Sequence, residues 1–291
     1  MSARASVDAA IVTYGGGRDL GACVAALRRQ APLVARVIVI DNASPDDTAA
    51  RAEAIDGVEV IRNATNVGYA AAMNQALANT DAAYLLSLNA DCVLDDGYVD
   101  ACAAALDANP RVAAVTGVLR LPDGRIDSSG ITMSRAYVAA ERDRHAATPS
   151  VGDPFGVSGA AALWRRAALD AVGPDPWWDW LFVYWDDVEL CWRLRGDGWR
   201  FATAPNATAV HRRGSDTADP DFIESQALRN RLAAVARHAG IGGLLSPLSA
   251  ARTLTTIARL AVRHPAALRR ARPFKATRVG LQQRRADAAE R

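Results

Sequence analysis

Asn89-Ala90-Asp91 follows directly on an apolar run, Ala82 to Leu88, that reads as a buried strand. In open α/β sheets the carboxyl ends of strands are where ligands bind. A carboxylate at such a rim has two uses: it starts the next helix, or it holds a hard divalent cation against a diphosphate. A second acidic cluster, Asp186-Asp187-Val188-Glu189, lies inside the aromatic stretch Trp177 to Trp192. Asp186 and Glu189 have capping-box spacing, which marks a helix start. A helix start at a cleft also holds its first-turn carboxylates rigidly. Adjacent acids beside Trp185 and Trp192 would be raised in pKa by like charge and desolvation, as suits a general base for a hydroxyl nucleophile. One acid for a metal and another for a base fit transfer of a sugar from a nucleotide donor.

Other rim residues have two readings each. Asp41, in Asp41-Asn42-Ala43-Ser44, would accept hydrogen bonds from a base or ribose, or would belong to a turn and helix cap. In Asn66-Val67-Gly68-Tyr69-Ala70, Gly68 would let backbone approach a ligand, and the helix start behind it would favour a phosphate; the other reading is an ordinary turn. Gly15-Gly16-Gly17 fails the dinucleotide fingerprint, because Leu20 stands where its last glycine belongs. His211 is one of four histidines and precedes Arg212, Arg213 and Ser215, a group suited to diphosphate oxygens. Its other reading is a structural histidine. The run Trp177, Trp178, Trp180, Phe182, Tyr184, Trp185 is either core or a loop offering flat surface to sugar rings.

These residues need a scaffold. Strands are expected at 9–14, 34–40, 58–61, 82–88 and 112–118, and helices at 20–30, 46–55, 69–78 and 95–109. Such β-α repetition predicts a parallel sheet covered on both faces. Pro122-Asp123-Gly124 predicts a hairpin tip, and 140–155 a polar loop. Beyond it come a helix at 165–172, the Trp-rich loop, a helix at 186–195, and short strands around Phe201 and Ala209-Val210. A helix is expected at 219–238, a break at 240–243, and two Arg-rich helical segments split by Pro265 and Pro273.

The length of 291 residues, half of them apolar, suits one large α/β domain with a tail. Cys23, Cys92, Cys102 and Cys191 lack zinc-like spacing and read as buried reduced thiols. Met1 to Asp8 has no apolar core of a signal peptide, and no run of 18 apolar residues suggests a membrane span. Residues 251–291 hold ten Arg, one Lys and two acids, a balance of +9 within a chain of net +2. A basic tail on an acidic body points to a polyanionic surface. The residues Leu244, Leu245, Leu248, Leu254, Ile257, Leu260 and Ala261 form an apolar stripe at helical spacing, interleaved with Arg252, Arg259 and Arg263. That pattern suits an anionic membrane interface; its alternative is a helix packed on the body.

Taken in order, these motifs resemble the inverting GT-A-fold glycosyltransferases of family 2, especially the rhamnosyltransferase-like and galactofuranosyltransferase-like branch, from about Ala9 to Arg231. Val12-Thr13-Tyr14 is similar to the family's opening strand, with Gly15 where Asn is common. Asp41-Asn42 with Ser44 resembles the donor nucleotide motif, and Asn66 to Ala70 with Asn74 the diphosphate-side motif. Asn89-Ala90-Asp91 resembles the metal-binding Asp-x-Asp, with Asn for its first acid, so metal binding rests on Asp91. Ser158-Gly159-Ala160-Ala161 resembles the acceptor-side glycine motif. Tyr184 to Arg193 resembles the segment carrying the base, which would be Asp187.

The resemblance implies a GT-A fold (α/β, Rossmann-like, mostly parallel sheet) over residues 1–240, with a basic amphipathic helical tail at 241–291. It implies Asp187 as catalytic base, with Thr13, Tyr14, Asp41, Asn66, Gly68, Asn74, Asn89 and Asp91 binding the donor. Gly159, Ala160, Trp185 and Asp186 would face the acceptor, and Asp91 with His211 would hold Mg²⁺ or Mn²⁺. The expected donor is a dTDP-rhamnose or UDP-sugar, and the acceptor a cell-surface glycan or lipid-linked hydroxyl. The expected location is the cytoplasm, peripheral on the inner membrane face, with no nucleic-acid partner. Rival readings are a sugar nucleotidyltransferase, which would want a basic Gly-rich loop near the first strand, and a non-catalytic glycan- or polyanion-binding protein, which would have lost Asp91 or Asp187.

Overall fold

The computed structural model describes residues 6–150, 152–213 and 219–290. The chain opens with β1 (Val7–Thr13), α1 (Leu20–Arg28), β2 (Val34–Asp41), α2 (Thr48–Glu53), β3 (Val58–Arg62), α3 (Tyr69–Ala78), β4 (Tyr84–Asn89) and β5 (Cys92–Leu94). Next come α4 (Tyr98–Ala108), β6 (Val112–Arg120), β7 (Ile126–Ser128), β8 (Ile131–Met133) and β9 (Ala139–Glu141). Then follow β10 (Ala161–Arg165), α5 (Arg166–Asp170), α6 (Asp186–Gly196) and β11 (Arg200–His211). Four helices end the chain: α7 (Pro220–Leu245), α8 (Pro247–Arg263), α9 (Pro265–Ala271) and α10 (Pro273–Glu290).

Nine strands form one sheet in the order β3-β2-β1-β4-β10-β6-β11-β5, with β7 beside β6. Strands β1, β2, β3, β4, β6 and β11 run one way, and β5, β7 and β10 the other. Both faces are covered, as the apolar runs require. Cys23, Leu27, Tyr98, Cys102 and Leu106 pack one face; Met73, Leu77, Leu169, Leu190 and Leu194 pack the other. All four cysteines are buried and free.

The sheet departs from the sequence expectation in two places. Ala161 to Arg165 is a strand, β10, inserted antiparallel between β4 and β6; the preceding Ser-Gly reads as a loop and hides it. The two short strands expected near Phe201 and Ala209 are one strand, β11, whose register shifts between Thr203 and Thr208 around Pro205-Asn206. The Pro-Asp-Gly hairpin is present between β6 and β7. Within the expected loop 140–155, β9 extends to Glu141 and pairs with β8.

The aromatic run divides. Trp177 is core, edge-on to Trp164 at 5.8 Å, a pair worth about 1 kcal/mol beyond its burial. Trp178 and Trp180 stack on each other and lie under the guanidiniums of Arg237 and Arg229 from α7. Tyr184 and Trp185 alone of this run reach the cleft described below.

The region after residue 240 holds three helices beyond α7, not two, and Gly240 is a kink within α7 (φ 65°, ψ −163°). α10 lies along α7. A Cβ at Gly280 would come 2.1 Å from the Ala233 carbonyl oxygen, so glycine sets this close approach. Asp287 of α10 grips Arg237 through two hydrogen bonds of 2.8 and 3.0 Å. Arg284 donates to the carbonyls of Arg237 and His238 beside the kink. The apolar stripe is split accordingly. Leu244, Ile257 and Leu260 pack with Leu228, Leu232, Ala271 and Ala276, while Leu245, Leu248 and Leu254 are exposed, together with Ile241 and Val262. Among the described residues no helix is long and apolar enough to cross a membrane.

Candidate active site

A cleft of about 730 Å³ opens at the end of β4, lined by Asn89, Asp91, Gly159, Ala160, Trp185, Asp186, Asp187 and His211 among others. Eight of the residues singled out from sequence thus meet in one place. The size is that of a small-ligand site.

Asp187 sits in the first turn of α6. Its Oδ2 accepts from the Gly159 N–H at 3.0 Å and its Oδ1 from the Val188 N–H at 2.7 Å. Burial raises the Asp187 pKa, and these two donors oppose the rise by favouring the carboxylate. Asp186 is pushed up to about 8, first by burial and then by the charge of Asp187. Asp187 is therefore the member of the pair that ionises first, the state a base requires. The expected capping box does not form: Trp185 caps α6 without a side-chain bond. Glu189 turns away into the protein, bound by Arg193, Arg237 and His238 at 3.0, 2.9 and 3.0 Å. Against the effect of its burial, the Arg193 and Arg237 guanidiniums and the hydrogen bond with His238 hold it well below the usual carboxylate range.

The loop leading to α6 is strained: Phe182, Tyr184 and Trp185 all have positive φ, which costs a non-glycine residue about 1 kcal/mol or more. Asn230 of α7 compensates. Its amide donates to the carbonyls of Leu181, Val183 and Tyr184 at 2.8, 2.9 and 2.8 Å. Sequence reading missed Asn230, because nothing local marks a helical Asn as a clamp on a loop so far back.

Asp91 occupies the turn between β4 and β5. The antiparallel register pairs Cys92 with His211, bringing His211 Nε2 within 3.4 Å of Asp91 Oδ1. Ligand atoms in neighbouring positions around Mg²⁺ lie about 3 Å apart, so this pair fits one cation. Among the described residues no three His, Cys, Asp or Glu side chains form a closed metal site; two protein ligands leave positions for donor oxygens. On its other side, His211 Nδ1 meets Asp127 Oδ2 at 2.8 Å. Burial disfavours the imidazolium, yet hydrogen bonds to Asp127 and Asp91 outweigh it and raise His211 to about 9. Asp127 was missed because an acid in a short polar strand carries no local signal.

Arg212 and Arg213, expected near diphosphate oxygens, are engaged by carboxylates instead. Arg212 pairs with Asp19, and Arg213 with Asp127 and Glu141 at 2.7 and 3.2 Å. Ser215 lies outside the described residues. Glu141 enters the cleft unannounced by sequence; its Oε2 is buried without a hydrogen-bond partner among the described residues.

Of the donor-side residues, Asn89 and Asp91 line this cleft. Thr13 Oγ1 donates to Asp41 Oδ1 at 3.4 Å, and the Ser44 N–H to Asp41 Oδ2 at 3.2 Å; Tyr14 beside them is exposed. Gly15, Gly16 and Gly17 give their N–H groups to Ser44, Asp46 and Thr48 rather than forming a phosphate cradle. A Cβ at Gly68 would lie 2.6 Å from the Phe182 ring, with φ at +89°, so glycine sets the close approach of this loop. The Phe182 carbonyl also accepts the Ala70 N–H at the α3 start. Asn66 Oδ1 accepts the Gly68 N–H at 2.9 Å. Asn74 binds both the N–H and carbonyl of Trp177 at 3.0 and 2.7 Å, anchoring the aromatic loop.

A sheet with a carboxylate turn at the end of β4, facing a helix-borne acid pair across a cleft, defines a nucleotide-sugar-type transferase scaffold. The glycosyl transferase family 2 model matches residues 8–173, and the chain belongs to that family: it is a glycosyltransferase. It is 27% identical over 235 residues to an N-acetylglucosaminyl-diphospho-decaprenol L-rhamnosyltransferase of Mycobacterium tuberculosis, covering 71% of this chain and 76% of that one. Solved structures share the GT-A fold. GalNAc-T7 with UDP, GalNAc and Mn²⁺ superposes with TM-score 0.62 at 13% identity, over 81% of this chain and 48% of that one. A mannosyltransferase from Pyrobaculum calidifontis with GDP-Man and Mn²⁺ gives 0.56 at 19% identity, over 99% and 76%.

Proposed function

We propose that the protein moves a sugar, of the dTDP-rhamnose or UDP-sugar type, with inversion onto a hydroxyl of a lipid-linked or growing cell-surface glycan. The observation that carries this reading is Asp187, held by the Gly159 N–H in the same cleft as the Asp91–His211 pair. Asp187 takes the acceptor hydroxyl's proton while that oxygen attacks the anomeric carbon from the side opposite the leaving diphosphate. Asp41 and Thr13 hold the nucleotide. Asp91 and His211 would hold Mg²⁺ or Mn²⁺, which supplies Lewis-acid neutralisation of the departing diphosphate, worth several kcal/mol. Glycan acceptors lie against Trp185, Asp186 and Ala160.

The acceptor class is supported by the rhamnosyltransferase relative, named for a decaprenol-linked substrate, and by the face of α8. There, exposed Leu248, Leu254 and Val262 run beside Arg252 and Arg263, a pattern suited to an anionic leaflet. A nucleotidyltransferase is disfavoured, because the Gly15–Gly17 amides are already engaged.

A panel of dTDP- and UDP-sugars tested with a prenyl-diphosphate-linked N-acetylhexosamine, read as free nucleoside diphosphate and glycosylated product, tests the proposal. Turnover should vanish in EDTA and return with Mn²⁺ or Mg²⁺. Full activity in chelator would overturn the metal role, and release of inorganic pyrophosphate from a sugar phosphate and NTP would favour the nucleotidyltransferase.

A further inference from the structure

We infer that Asp127 is the positioning residue that fixes the His211 imidazole for metal ligation beside Asp91. The inference rests on the metal reading above. Asp127, on β7, is fully buried. Its Oδ2 lies 2.8 Å from His211 Nδ1, and Arg213 Nε donates to its Oδ1 and Oδ2 at 2.7 and 2.9 Å. Held by hydrogen bonds from His211 and Arg213, with Arg144 3.8 Å from its Oδ1, the carboxylate has one direction. It therefore sets both the rotation of the imidazole and the nitrogen that carries the fixed proton. With Nδ1–H given to Asp127, Nε2 is the nitrogen, 3.4 Å from Asp91 Oδ1, that would exchange its proton for a cation. Metal-ligating histidines commonly donate their other N–H to a carboxylate, and losing that partner lowers metal affinity about 10- to 100-fold.

Glu141 does not share this role. It meets Arg213 on the far side, at 3.2 Å, and no contact joins it to His211 among the described residues. The three residues thus form a line, Asp91–His211–Asp127, with Arg213 bracing its outer end.

The test is Mn²⁺ binding followed by electron paramagnetic resonance, with UDP and separately dTDP present, in wild type, Asp127→Asn and His211→Ala. Wild type should bind, His211→Ala should lose binding, and Asp127→Asn should bind about 10- to 100-fold more weakly. Metal-free nucleotide affinity should stay within about threefold; a parallel loss there would mean that Asp127 is merely structural and overturn the inference. Asp127→Asn binding Mn²⁺ as tightly as wild type would overturn it too. Absence of Mn²⁺ binding by wild type would instead overturn the metal reading, and this inference with it. Should Asp127→Asn fail to fold, ¹⁵N spectra of His211 in the Mg²⁺-loaded wild type decide. A proton on Nδ1 supports the inference, and a proton on Nε2 overturns it.

Discussion

The Gly159 N–H donates to Asp187 Oδ2 at 3.0 Å, joining the loop before β10 to the first turn of α6. The bond fixes the carboxylate's direction and favours its charged form. Asp186, one residue earlier, is the less acidic neighbour. Two adjacent carboxyls thereby sit in different surroundings, the condition for giving them different tasks.

That difference predicts a pH signature. Asp186 goes from 3.8 to about 8 on folding, so between those values the native state keeps a proton that the unfolded chain has lost. Stability therefore falls as pH rises through this window, and the penalty is complete above it. Asp186→Asn should raise Tm increasingly from pH 5 to pH 8. It should leave the acid limb of kcat/KM in place, because Asp186 is still uncharged while Asp187 ionises. A Tm difference independent of pH would contradict the pairing.

The C-terminal helices are predicted to be required for the fold. Truncation after Gly240 uncovers Leu228 and Leu232 and removes Asp287 and Arg284 from α7. It should yield insoluble protein, as the alternative of a helix packed on the body requires. Asp287→Ala, a milder change, should cost about 2 kcal/mol, the scale of hydrogen bonds to a charged group. Urea denaturation checks this, and an unchanged midpoint would show that α10 adds nothing to α7.

Membrane association is testable without truncation. Leu245, Leu248 and Leu254 are 71, 57 and 67% exposed, so changing all three to Ser should leave Tm within a few degrees. Co-sedimentation with anionic liposomes should then be lost, and turnover on a short soluble acceptor kept. Binding that persists would place the membrane contact elsewhere.

Much of the scaffold is legible in the sequence, because its signals are local. The boundaries of α3, Tyr69–Ala78, follow from apolar spacing and the preceding Gly68, Asp91 from its place after an apolar strand, and the Asp186-Asp187 pair from its place at a helix start. What sequence missed depends on distant partners. Strand β10 is antiparallel because it enters between β4 and β6, a topological fact absent from its five residues. Asn230 and Asp127 act on loops and side chains brought near only by the fold. The contacts of Asn74 with Trp177 and of Gly68 with Phe182 likewise join residues far apart in the chain. The stripe near residue 250 was legible as amphipathic, but its division between core and surface is set by α7 and α10.

The central claim is that Asp187 is the base. The measurement that tests it most directly is turnover of Asp187→Asn beside its donor dissociation constant. The account predicts donor affinity within a few-fold of wild type and turnover lower by roughly 10² to 10⁴. Near-wild-type turnover with donor binding intact would contradict it.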